Sequence, residues 1–267
     1  MGVLAWIVYA LIGVAAGFLG GLLGIGGGIV VVPALIWTFS LQDYQNSHLM
    51  QIAIGTSLGA MVLTSASSAW AHYLQKGIYW HLFRVLFPGS LVGAVLGALL
   101  ADYLPSDHLK LIFGMCECMI GMHFLMPGKL KSGTQVQSFH PLLFFCFGVA
   151  IGALSTLLGI GGGIITVPIL TLFQVPIRHA IATSAALGFF NAVIGAASFL
   201  YLGLDAEVFP GAIGYLYLPA FIIIGISASL IAPYGVKKAY LWPADVLRRI
   251  FGAVLILLGL SVIFPFY

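Results

Sequence analysis

Residues 22–33 read LLGIGGGIVVVP, a knot of glycines between two apolar runs, and the stretch returns as LLGIGGGIITVP at residues 157–168. The wider windows 17–33 and 152–168 agree at 12 of 17 positions, so the chain is an internal duplication with one glycine hairpin in each half. Glycines inside an apolar segment need a physical reason. Backbone that leaves the helix at membrane depth is tolerated only where it is buried in protein or lines a cavity, and in repeat-built transporters such breaks mark the binding site.

Composition fixes the environment. Of 267 residues, 61% are hydrophobic and 6% charged, against roughly one quarter charged in a soluble domain. The pattern is that of an all-α integral membrane protein with eight to ten membrane segments. The opening MGVLAWIVYALIGVAAGFLG has no basic leader and no small-residue cleavage site, so it reads as the first membrane segment rather than a signal peptide. A net charge of +3 spread over short loops reports topology and gives no reason to expect a nucleic-acid partner. Cys116, Cys118 and Cys146 all lie in apolar runs, where a disulfide framework is not expected.

Outward from the glycine stretches, each half repeats one order. Val3–Leu23, a turn at 24–28 and Ile29–Phe39 are followed by apolar segments over about 52–74, 82–101 and 109–125. The second half gives 142–158, a turn at 159–163, 164–173, then 181–202, 212–231 and 246–264. Matches at Ala53–Ser57 with Ala180–Ser184, and at Ile112–Gly114 with Ile250–Gly252, hold the register. We read 1–126 as the first repeat, 127–139 as a cytoplasmic linker and 140–267 as the second repeat. If each glycine segment crossed the membrane once, Lys and Arg would divide four against six. If each returns to its starting side, nine fall on one face and only Lys110 on the other, which the positive-inside rule favours. The expectation is two inverted-topology repeats, each a glycine-tipped hairpin plus three transmembrane helices, with both termini outside.

In each half Gly-Ile-Gly-Gly-Gly precedes a short apolar helix, leaving successive N–H groups without helical partners at its N-terminus. The macrodipole adds partial positive charge there, so Gly24, Gly26, Gly27 and Gly28, with Gly159, Gly161, Gly162 and Gly163, form two candidate anion-binding turns. The alternative is that these glycines serve close helix packing. Thr56, Ser57, Thr183 and Ser184, in matched positions, can donate hydroxyls to the same anion or bond to backbone; Asn191 extends the lining. Glu117, alone in the apolar run FGMCECMIG, is a candidate proton carrier or a neutral structural group. His72, His81 and His123, near segment ends, read as interfacial. Met115, Met119, Met122 and Met126 form one helical stripe beside Cys116, Cys118 and His123, which suits either packing or a soft ion such as Cu(I). No oriented base stands near Ser57 or Ser184 in the motifs, so an enzyme is not expected, and no motif requires a metal or cofactor.

The doubled G-x-x-x-x-LLGIGGG-x-x-x-VP pattern, the A-I-x-T-S after each copy, and the HYLQKG and ASFLYLG segments resemble the sulfite exporter TauE/SafE family of membrane permeases. The likeness runs from about residue 7 to 263. It implies secondary transport of a small anionic substrate such as sulfite or an organosulfonate, outward across a bacterial inner membrane, with the lipid bilayer as its surroundings. Carried over, the site residues are the eight turn glycines with Thr56, Ser57, Thr183 and Ser184. A Cu(I) transporter using the methionine stripe is the competing reading.

Overall fold

The computed structural model describes residues 3–24, 26–42, 47–126 and 141–264. They form α1 (Val3–Leu23), α2 (Gly28–Leu41), α3 (Leu49–Leu74), α4 (Trp80–Tyr103) and α5 (Ser106–Leu125), then α6 (Pro141–Leu157), α7 (Gly163–Leu172), α8 (Ile177–Leu202), α9 (Leu218–Leu241) and α10 (Ala244–Ile263). Six of them are long and apolar enough to span a membrane among the described residues. The chain is an all-α, multi-pass integral membrane protein. The linker at 127–139 and Asp43 lie outside the described residues.

Each glycine turn reverses the chain. Gly24, Gly26 and Gly27 have φ of 70, 72 and 87°, and Gly159 and Gly162 have 64 and 84°, left-handed values that L side chains rarely adopt. The Gln42 amide at the end of α2 donates to the Tyr9 hydroxyl near the start of α1 at 3.2 Å, so α2 returns to the side from which α1 entered. In the second half Phe144 of α6 and Phe173, just past α7, bring their rings to 5.3 Å for the same reason. With 14 and 10 residues, α2 and α7 extend only about 21 and 15 Å.

Paired contacts give the helix directions. Gly55 of α3 faces Phe199 of α8 and Leu58 faces Gly195, while Gly114 of α5 meets Gly259 of α10 and Gly121 meets Gly252. Equivalent helices therefore run antiparallel, and the repeats are inverted. By contrast α1 runs parallel to α9, with Gly13, Gly17 and Gly21 against Ile224, Ala228 and Ala232. Its counterpart pair is α4 and α6, with Gly89, Gly93 and Gly97 against Phe145, Val149 and Ala153. A Cβ at Gly17 would stand 2.6 Å from the Ala228 Cα, and one at Gly93 2.8 Å from the Ala153 nitrogen, so these four-residue glycine ladders let backbones touch. Because α3 also packs along α9 and α8 along α4, each half is wrapped around helices of the other.

One end of the bundle gathers the α3–α4 loop, the start of α8 and the end of α9. There Arg178 lies over the Tyr240 ring at 5.8 Å and His179 Nδ1 is 2.7 Å from the Gly77 carbonyl. Lys76, Lys237 and Lys238 belong to that end by the same connections. At the opposite end Tyr215 donates to Asp102 at 2.9 Å, Ser106 donates to the Ser47 carbonyl at 2.7 Å, and Lys110 pairs with Asp107 at 3.3 Å. Burial and the bond to Asp102 push the Tyr215 phenol above its usual range.

One expectation changes. The apolar segment anticipated over 212–231 is a short hairpin, Ala212–Ile213 with Leu216–Tyr217, followed by α9. Positive φ at Gly211 and Gly214 makes the turn, Pro219 starts the helix, and α9 continues through the basic pair Lys237 and Lys238. His72, in the last turn of α3, is buried there, its Nδ1 3.3 Å from the Tyr240 hydroxyl.

Candidate functional site between two glycine turns

The two turns, one from each half, touch. Gly28 lies so close to Gly159 that a Cβ there would collide with the Gly159 carbonyl oxygen. Serines from the opposite half fix both turns: Ser57 Oγ donates to the Gly159 carbonyl at 3.0 Å, and Ser184 Oγ donates to the Gly24 carbonyl at 2.9 Å. The threonines beside them act as acceptors. Thr56 Oγ1 receives the Tyr217 N–H and Thr183 Oγ1 receives the Tyr79 N–H, each at 2.9 Å. All four side chains are fully buried. Both crossing pairs obey the pseudo-twofold symmetry expected of inverted repeats.

This geometry reassigns the hydroxyls. Each serine proton already lies on a carbonyl, so the serines orient the turns instead of presenting free donors. Bonding the two carbonyl oxygens in this way also lowers the negative potential they would otherwise bring to the junction. The donors that the turns themselves keep for a ligand are backbone amides. Gly27 and Gly162 sit at the N-caps of α2 and α7 without a side-chain cap, so the first-turn N–H groups of both helices keep their partial positive charge.

Polar side chains complete the lining, more of them in the second half. Asn191 is fully buried, and neither its Oδ1 nor its Nδ2 has a hydrogen-bond partner among the described residues. A Cβ at Gly162 would lie 3.3 Å from Asn191 Nδ2 and 3.1 Å from Ser155 Oγ. The hydroxyls of Thr156, Ser65 and Ser68 are likewise buried without partners, and Ser65 lies against Gly26. Unsatisfied buried polar groups are costly and uncommon, and two of these side chains, Asn191 and Ser65, lie directly against turn glycines. The sites anticipated at Gly24, Gly26, Gly27, Gly28, Gly159, Gly161, Gly162, Gly163, Ser57, Ser184 and Asn191 are thus brought together. Thr56 and Thr183 stand one residue behind, holding the entries to α9 and α4.

Glu117 is elsewhere. It is fully buried between α5 and α10, its Cβ 3.0 Å from where a Cβ of Gly259 would be, and neither carboxyl oxygen has a partner among the described residues. Met115, Met119, Met122 and Met126 are 46, 66, 49 and 62% exposed, so the stripe lines the outer surface of α5 and faces away from the turns. Among the described residues no group of three or more His, Cys, Asp or Glu could hold a metal. Sequence reasoning missed Tyr79 and Tyr217, whose signal was an aromatic at the matched residue before α4 and α9, and it missed Met61, described below.

A family model described as "Sulfite exporter TauE/SafE" matches residues 9–262. A protein of Haemophilus influenzae named "Probable membrane transporter protein" is 32% identical over 252 residues, covering 94% of this chain and 95% of the relative. A similarly named protein of Methanocaldococcus jannaschii is 29% identical, covering 94% and 92%. "Probable membrane transporter protein YunE" of Bacillus subtilis is 27% identical, covering 75% and 80%. No solved structure matches.

Proposed function

Since the chain belongs to the sulfite exporter TauE/SafE family and is a membrane transporter, we propose that its substrates are small sulfur-containing anions such as sulfite or organosulfonates, moved outward across the inner membrane. The observation that carries this reading is the meeting of two uncapped helix N-termini, one from each inverted half, at a junction where, among the described residues, no Lys or Arg side chain is among the nearest neighbours of the turn glycines. Amides and dipoles attract an anion, and they release it more readily than a buried guanidinium would. Asn191 supplies the side-chain donor, and Ser57 and Ser184 keep the turns in register.

Access alternates between the two ends of the bundle. The Tyr217 N–H on Thr56 and the Tyr79 N–H on Thr183 tie the starts of α9 and α4 to the helices that carry the two serines. Because helices of both halves are interleaved, the moving bodies are mixed bundles, α1, α3 and α9 against α4, α6 and α8, rather than one repeat against the other. Glu117 carries a proton between the same two faces, coupling anion movement to the proton gradient. Titrating the purified protein with sulfite, sulfate, thiosulfate, sulfoacetate and Cu(I) tests the substrate class. Binding of Cu(I) in the absence of any sulfur oxyanion binding would overturn it.

A further inference from the structure

One side chain fills the space between the two glycine turns. Met61 is fully buried on α3, and its Sδ receives the Gly161 N–H at 3.5 Å. The same sulfur is 2.6 Å from where a Cβ of Gly28 would stand, and its Cε lies against Gly26. A single thioether therefore touches both turns. The register that pairs Ser57 with Ser184 pairs Met61 with Gly188, and Gly188 packs directly on the Gly161 carbonyl. At this paired position between the turns, one half carries a long flexible side chain and the other carries none. Gly161 is held from both sides, its carbonyl by α8 and its N–H by a sulfur. A thioether is a weak acceptor, so this amide, which faces the junction, has a poor partner where buried N–H groups usually have a strong one.

We propose that Met61 is a movable plug: in the ligand-free protein its thioether occupies the seat of the anion, and it gives up the Gly161 N–H to an anion oxygen when substrate enters. The inference rests on the anion reading above. Three rotatable bonds let the methionine withdraw without a shift of α3, and an anionic oxygen is a far stronger acceptor than sulfur. Ser57 Oγ, 3.9 Å from Sδ, keeps its shorter bond to Gly159 at 3.0 Å, so the turn stays in place as the plug leaves. Affinity is then reduced by the fraction of molecules in which the plug is seated, which favours release after each transport step.

The test compares the purified full chain with Met61→Ala and Met61→Leu, each titrated calorimetrically with sodium sulfite and with methanesulfonate, with thermal unfolding measured beside it. Met61→Ala should bind about tenfold more tightly, the weight of one hydrogen bond and its contacts, although its ligand-free melting temperature falls because a cavity is left. Met61→Leu fills a similar volume but cannot accept the Gly161 N–H, and should also bind more tightly, by less. If both variants fold and bind equally or more weakly while the unmodified protein binds, the plug is refuted and the anion reading stands. If neither the unmodified protein nor the variants bind, the anion reading is refuted and the plug falls with it.

Discussion

Removing the Ser57 hydroxyl tests whether crossing bonds between the halves hold the glycine turns. In the native protein Ser57 donates to the Gly159 carbonyl at 3.0 Å, and both groups are buried. Alanine leaves that oxygen without a donor in an interior that excludes water, a cost of about 1–3 kcal/mol. Ser184 is not equivalent in strength, because its proton is shared between Gly24 at 2.9 Å and Ile181 at 3.0 Å. Ser184→Ala therefore gives up only part of a bond across the halves, and its cost should lie near the lower end, about 1 kcal/mol. In the unmodified protein the hydroxyl proton offsets the carbonyl's partial negative charge; in Ser57→Ala that charge is bare beside the amides, and sulfite affinity should fall by about tenfold, or about 1.4 kcal/mol. Thermal unfolding in detergent and sulfite titration read the two effects separately. Native stability and native affinity in Ser57→Ala, or a larger loss from Ser184→Ala than from Ser57→Ala, would show that the Ser57 bond does not hold the Gly159 turn.

Glu117→Gln should abolish proton-driven uptake into vesicles and leave sulfite exchange close to native, because the carboxyl lies between α5 and α10 and away from the turns; unchanged proton dependence would leave Glu117 a structural role only. A cysteine probe at Asp205 should label from outside the cell and one at Lys76 should not, since the two loops close opposite ends of antiparallel helices; labelling of both from one side would contradict the inverted arrangement.

Much of the fold was legible because two signals are physically blunt. A doubled Gly-Ile-Gly-Gly-Gly cannot continue a helix, and a positive-inside count separates a hairpin from a crossing. Both depend on residue type alone. The start of α9 was misplaced because apolarity continues from Ala212 through the small hairpin into the helix, and hydropathy does not distinguish strand from helix over so short a run. The glycine ladders of α1 and α4 were also passed over, although Gly13, Gly17, Gly21 and Gly89, Gly93, Gly97 stand at four-residue spacing in the text of the chain. At the site, the positions of Ser57 and Ser184 were legible and the direction of their bonds was not. A serine shows that it can donate, and only the fold shows to which oxygen. Met61 gave no local signal, since a methionine in an apolar run looks like any other.

The interleaving of the halves has a consequence for how the protein is made. The Gly24 carbonyl finds its donor on Ser184, 160 residues further along the chain. At ribosomal speed that interval is about 10–30 s, during which α1 and its turn are already in the bilayer while α8 and α9 do not yet exist. The glycine face of α1 must meanwhile lie against lipid or insertion machinery, with a carbonyl at membrane depth still waiting for its proton. The newborn first half is thus an unfinished surface instead of a finished domain. Its quality control depends on the arrival of the second half, so a pause or truncation between α7 and α8 would leave the membrane holding a helix hairpin whose complement was never synthesised.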